Sequence, residues 1–214
     1  MVSQLVTDPE GFIGHQADFG GGAKPFYVVL VGGVGLALYA ASSALALGGF
    51  SGYTSISTVQ TALLASIGAN LIRPLVLWVI FAVGFYAVSM VFGGRGSIAD
   101  VFKLTGWGFL PFLPMGIVWG IGRYLALRDE TLPPNIQTNY LSFEIPGLNQ
   151  FNAKAAGEPV FLAALVVGFL FLAYSGYIWT VTLEETRELN RTQAAISVAI
   201  PVVLWVLYFL QRTL

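Results

Sequence analysis

The sequence predicts an all-α fold: a polytopic transmembrane bundle of five spans with short interfacial helices, forming a single membrane domain over residues 1–214. Three observations predict it. Charged residues make up only 10% of the chain against 56% hydrophobic ones, whereas a soluble domain carries about 25% charge. Too few charges are present to hydrate a globule, and mean hydropathy is +0.76. The apolar residues gather into five runs near the length that crosses a hydrocarbon core of roughly 30 Å, about 20 residues at about 1.5 Å each. No Asp, Glu, Lys or Arg falls inside any of them.

The first run covers 25–47, with Lys24 and Pro25 at its start. The stretch before it contains no basic start and apolar core of a cleaved leader, so the first span is expected to act as its own insertion signal. Between Gly48 and Ile72, apolar Ile56, Val59, Leu63, Ile67 and Leu71 recur every three or four residues. That spacing makes one apolar helical face, read as an interfacial helix or an extension of the next span. The second run, 74–92, lies between Arg73 and the turn Gly93-Gly94-Arg95-Gly96-Ser97.

The third run, 104–122, is bounded by Lys103 and Arg123 and contains Pro111 and Pro114, each of which removes a backbone donor and predicts a kink. Residues 123–158 form the longest connection, on the far side of the membrane, and Pro133-Pro134 with Pro146-Gly147 argue for irregular structure there. The fourth run covers 159–183 and the fifth 194–210, with Pro201 inside it. Prolines in lipid are expected to face neighbouring helices, where the freed carbonyls find partners. The residues between these two runs, 184–192, read as a short charged turn in which Glu188 and Arg191 make a solvated pair of little energetic value.

Ten basic against eleven acidic residues leave a net charge of -1, too little field to attract nucleic acid. With no cysteine and one histidine, a thiol nucleophile and a His/Cys metal shell are excluded. His15 lies in a polar N-terminal stretch and reads as a solvated loop residue. No catalytic constellation emerges, and no cofactor is expected. Arg73 at the mouth of the second span reads as a headgroup anchor. Hydroxyls within the spans read as helix packing.

Small residues mark close helix approach. Gly33, Ala37 and Ala41 share a face of the first span, and Gly116 with Gly120 makes a GxxxG step in the third; packing within the chain is the first reading. Gly106, Trp107, Pro111, Pro114 and Pro201 complete the expected kink and packing set. The glycine turn lacks the lysine and spacing of a nucleotide loop. Its backbone amides, with Arg95 and Lys103 nearby, are candidates to hold a lipid phosphate.

Three features carry a family resemblance. Asp8-Pro9-Glu10-Gly11-Phe12 resembles a short Pro and aromatic motif ahead of the first span, and FGGRGSIADVFKLTGWGFLPFLP, from Phe92 to Pro114, resembles a Gly-Gly-x-Gly-Ser turn, an amphipathic helix and a Gly-aromatic-x-x-x-Pro approach to the third span. The five-span count with almost no C-terminal tail is similar too. Together they resemble the compact prokaryotic form of the Yip family, Ypt- and Rab-interacting membrane proteins. Charge counting ties the two orientations, with Lys24, Arg95, Lys103, Arg187 and Arg191 on one side and Arg73, Arg123, Arg128, Lys154 and Arg212 on the other. The resemblance implies a cytoplasmic N-terminus and a C-terminus on the far side of the cell membrane.

Eukaryotic relatives in that family are adaptors in membrane traffic; their small-GTPase binding is not carried over. The expected function is a non-enzymatic membrane adaptor or scaffold. Its partner and lipid face would comprise Asp8, Pro9, Phe12, Gly93, Gly94, Arg95, Gly96, Ser97 and Lys103, with membrane lipids, membrane proteins or a second copy as partners. The alternative is a channel or carrier for small solutes around the kinked third and fifth helices.

Overall fold

The computed structural model describes residues 2–19, 23–47, 57–130 and 146–213, and among these every regular element is helical. Five of the described helical stretches are long and apolar enough to cross a membrane: Lys24–Ala46, Leu63–Val91, Ile98–Leu127, Pro159–Arg187 and Arg191–Gln211.

The chain opens with α1 (Val2–Thr7) and α2 (Pro9–Phe19), so the polar stretch around His15 is helical rather than loop. α3 (Lys24–Ala46) starts with proline in its first turn, where the missing N–H costs nothing. α4 (Ser57–Val91) is one continuous helix, so the connection ahead of the second run extends that span instead of lying beside it. Pro74 is buried inside α4 rather than starting it. Ile56 lies outside the described residues.

The third span is three pieces. α5 (Ile98–Thr105) is capped by Ser97, whose hydroxyl accepts the Asp100 N–H at 3.1 Å and donates to the Asp100 carboxylate at 2.6 Å. A 3-10 turn follows at Gly106–Phe109, and α6 (Phe112–Leu127) begins at Pro111. The expected kink is therefore a change of helix type just ahead of the prolines. The Thr105 carbonyl at this change accepts the Trp179 indole N–H at 2.8 Å, which satisfies it without water.

The long connection is less irregular than expected. α6 runs past Arg123 to Leu127, and Pro146-Gly147 open α7 (Pro146–Lys154) instead of breaking structure, since proline fits a first turn. A 3-10 turn, Ala155–Gly157, leads into α8 (Pro159–Arg187). Pro133-Pro134 lie outside the described residues. α9 (Arg191–Thr213) carries Pro201 within it.

Lipid tails are as apolar as leucine, so helices associate by fit rather than by escape from water. α3 and α6 meet through glycines: a β-carbon on Gly116 would fall on the Gly35 backbone, and one on Gly120 would press on Leu38 and Tyr39. Gly33 meets the Leu71 backbone of α4 in the same way. The small-residue faces thus serve packing within the chain. Aromatic rings fill the centre: Phe81, Phe109 and Phe112 surround Trp179, and Trp119 stacks on Phe209 at 4.7 Å.

A candidate docking face built around Arg187

The glycine turn between α4 and α5 has a backbone that only glycine adopts freely. Gly93 and Gly96 have φ of 74° and 103°, in the left-handed region. Gly96 has a second reason, because a side chain there would strike the Thr186 carbonyl. The chain thereby turns its Gly94 and Gly96 carbonyls towards the end of α8.

Arg187 occupies that position. It is 2% exposed and lies in the last turn of α8, whereas the expectation placed it in a short charged turn. Its Nη1 and Nη2 donate to the Gly96 and Gly94 carbonyls, and its Nε donates to the Ser89 hydroxyl at 2.9 Å. Its guanidinium sits over the Tyr86 ring, 4.2 Å from the centroid. The Arg95 N–H returns a bond to the Arg187 carbonyl at 3.0 Å. Among the described residues no carboxylate pairs with Arg187. The fixed fork of a guanidinium suits such neutral acceptors, which replace its water. Glu188, with φ 52°, then ends α8 in the left-handed conformation.

The N-terminal helices reach the same end of the bundle. Asp8 caps α2, its Oδ1 accepting the Gly11 N–H at 3.0 Å, and Pro9 takes the first helical position. Phe12 is buried edge-on against Trp107, ring centroids 4.8 Å apart. Leu5 and Ile13 are buried with it beside Ile178 and Val181 of α8. Polar contacts fix the register: the Tyr174 hydroxyl donates to the Leu5 carbonyl at 2.8 Å, and the Tyr177 hydroxyl donates to Glu10 at 3.0 Å. Arg191 pairs with Glu10 at 3.1 Å and lies over the Tyr177 ring, so its acidic partner is Glu10 rather than the expected Glu188.

The expected face is thus divided. Phe12 is a buried anchor, and Gly94 and Gly96 form the Arg187 receptor. Asp8, Gly93, Arg95, Ser97 and Lys103 are exposed, with Lys103 3.9 Å from Asp100. The amides of Gly93, Gly94 and Arg95 already donate to Met90, Ser89 and Arg187 carbonyls, so these three are not open to a phosphate, while the Arg95 and Lys103 side chains are exposed. A cleft of about 330 Å³ beside α2 is lined by Asp8, Phe12, His15 and Lys24 among others.

The kink and packing residues lie deeper. Gly106 admits Pro25 and Trp78, and Pro201 packs opposite Gly84. Pro111 and Trp107 are buried and Pro114 is half-buried. The Trp107 Nε1 has no hydrogen-bond partner among the described residues. Rings of Phe112, Trp205, Trp119 and Phe209 occupy the space between α6 and α9, where a solute path was the alternative.

The Yip1 domain family model matches residues 4–211. The chain belongs to the Yip1 family. That match includes both segments on which the resemblance rested and all five candidate spans, so this Yip1 protein is an integral, multi-pass membrane protein. The Yip1 family is not a known enzyme family. No curated protein and no solved structure matches the chain.

Sequence reasoning missed Arg187, whereas Ser89, Tyr86 and Tyr174 pack between helices as their depth in the spans suggests. For Arg187 the only available signal was its place one turn beyond a long uncharged run; the glycine carbonyls that receive it lie about ninety residues away in the chain.

Proposed function

We propose that this Yip1 protein is a non-enzymatic membrane adaptor and that the face assembled around Arg187 docks a protein partner. One observation supports this reading most. Three stretches far apart in sequence, α1–α2, the turn leading into α5, and the α8–α9 junction, are tied together by the Arg187 and Glu10–Tyr177–Arg191 contacts. A binding surface needs such preorganisation, because ordering it during association would cost affinity.

Asp8, Arg95, Ser97 and Lys103 point outward from this frame and offer mixed-charge contacts, with anionic lipid headgroups reinforcing the basic pair. We place the N-terminus and this face in the cytoplasm, the C-terminus on the far side, and the protein in the cell membrane, where a membrane protein or a second copy would be met. The filled space between α6 and α9 gives the channel reading no support.

Photo-crosslinking residues at Arg95 and Lys103, with Arg128 at the opposite end as control, test the proposal in native membranes. A discrete protein adduct at the first two positions and not at the third is expected. Equal, diffuse labelling at all three, or saturable solute flux through purified protein in liposomes, would overturn it. The cysteine-free chain also lets single cysteines at the exposed Asp18 and Gln211 report sidedness; labelling of both from one side would refute the orientation.

A further inference from the structure

Along α4 from Arg73 at its middle to Val88 near its end, α4 and α9 leave an apolar groove of about 610 Å³ on their outer side, within the size range of small-molecule sites. Ile80, Gly84 and Ala87 line it from α4, Pro201 and Leu204 line it from α9, and Arg73 and Tyr208 stand at one end. Gly84 shapes the floor: a β-carbon there would lie 3.2 Å from the Pro201 ring, so the missing side chain lets the helices approach and keeps the wall low.

Lipid fills any apolar hollow in a bilayer, and Arg73 is what makes this one selective. It is exposed, and its nearest recorded polar contact is a long 3.4 Å approach to the Asn70 side-chain oxygen. Among the described residues no carboxylate pairs with it, and neither α4 nor α9 contains Asp or Glu. A cation at the mouth of an apolar groove attracts an anion that brings its own hydrocarbon.

Tyr208 and Arg73 share the end of the groove where α9 leaves its apolar run for Gln211, the level at which tyrosine rings and snorkelling arginines sit at the interface. From Arg73 to Ala87 the helix rises about 21 Å, enough for an acyl chain that fills one leaflet of roughly 15 Å. A second copy fits less well. A symmetric α4–α9 contact would bring two Arg73 side chains into one dry interface with no acid on either helix to neutralise them.

We propose that this groove binds one anionic phospholipid, its phosphate on Arg73 and one acyl chain lying past Gly84 towards Ala87. The site is separate from the docking face and does not depend on it.

Native mass spectrometry of the full chain, delipidated in detergent and offered equal phosphatidylglycerol and phosphatidylcholine, tests this. The expected result is one bound lipid, with phosphatidylglycerol favoured about fivefold, as roughly 1 kcal/mol from one interfacial cation gives. Arg73→Gln should bring the ratio to about one, and Arg73→Lys should preserve it, since charge rather than fork geometry is at work. Ala87→Phe, which fills the groove away from Pro201, should lower occupancy by both lipids. Equal occupancy in the unaltered protein, a preference that survives Arg73→Gln, or a dimer that binds no lipid would overturn the proposal.

Discussion

Arg187 sits over the ring of Tyr86, 4.2 Å from its centroid, and through this contact the last turn of α8 is locked to the last turn of α4. The same guanidinium bonds Ser89 of α4 and the two glycine carbonyls just beyond it. A single side chain therefore joins two helix ends and the turn between α4 and α5. Removing it should loosen all three.

Arg187→Met and Arg187→Lys should each lower stability by about 2–4 kcal/mol, from charge-assisted hydrogen bonds and a buried cation–π contact. The lysine variant tests geometry, because a compact ammonium cannot reach acceptors spread across a planar fork. Thermal unfolding in detergent measures the loss. A lysine variant as stable as the parent would show that charge alone is what the turn requires.

The two left-handed glycines should respond differently. Gly93→Ala meets nothing nearby, so it should cost only the intrinsic penalty of about 1–2 kcal/mol. Gly96→Ala adds a clash with the Thr186 carbonyl and should cost more, about 2–4 kcal/mol. Parallel melting curves decide the order, and equal losses would mean that the Thr186 contact is not maintained.

The N-terminal helices should be held by Phe12 rather than by the surface ion pair. Phe12→Ala empties a buried ring site and should cost about 3 kcal/mol of local stability, whereas Glu10→Gln removes an exposed, solvent-screened pair with Arg191 and should leave the helices in place. The native chain has no cysteine, so Ile13→Cys supplies a clean reporter. Its thiol should be protected in the otherwise native chain and in Glu10→Gln, and should label rapidly in Phe12→Ala.

The break in the third span should depend on the indole of Trp179. Gly108 has no room for a β-carbon beside that ring, so Gly108→Ala should destabilise by about 1–3 kcal/mol. Trp179→Phe should cost about 1–3 kcal/mol by leaving the Thr105 carbonyl without its donor. In the double variant the smaller ring should relieve the clash, so the combined loss falls below the sum of the single losses. Strict additivity, seen in the same melting assay, would argue against the contact.

The glycine turn shows how far a residue pattern reaches. Its spacing marked a tight bend between two spans, and the bend is there. Its first three amides are not open to a phosphate, because Gly93, Gly94 and Arg95 donate to carbonyls that α4 and α8 supply. Arg187 shows the converse. Placed among Glu184, Glu185, Glu188 and Arg191 it looks solvated, and only the arrival of Ser89 and the turn carbonyls, remote in sequence, makes burial affordable.

The N-terminal stretch was misjudged for a related reason. Glu10, His15 and Asp18 give it a polar character that hides the three residues, Leu5, Phe12 and Ile13, which α8 and Trp107 bury. Pro146-Gly147 was read as a break, although the same proline fits the first turn of α7.

By itself the sequence determined the number of spans, the prolines within them and the small-residue steps along them, because lipid demands long uncharged runs whose backbone groups pair locally within each helix. Which cation is buried, which aromatic anchors the N-terminal helices, and where a groove stays open beside Arg73 were decided by tertiary structure. Those outcomes depend on distances between residues far apart in the chain, and no local rule of periodicity or charge sets such distances.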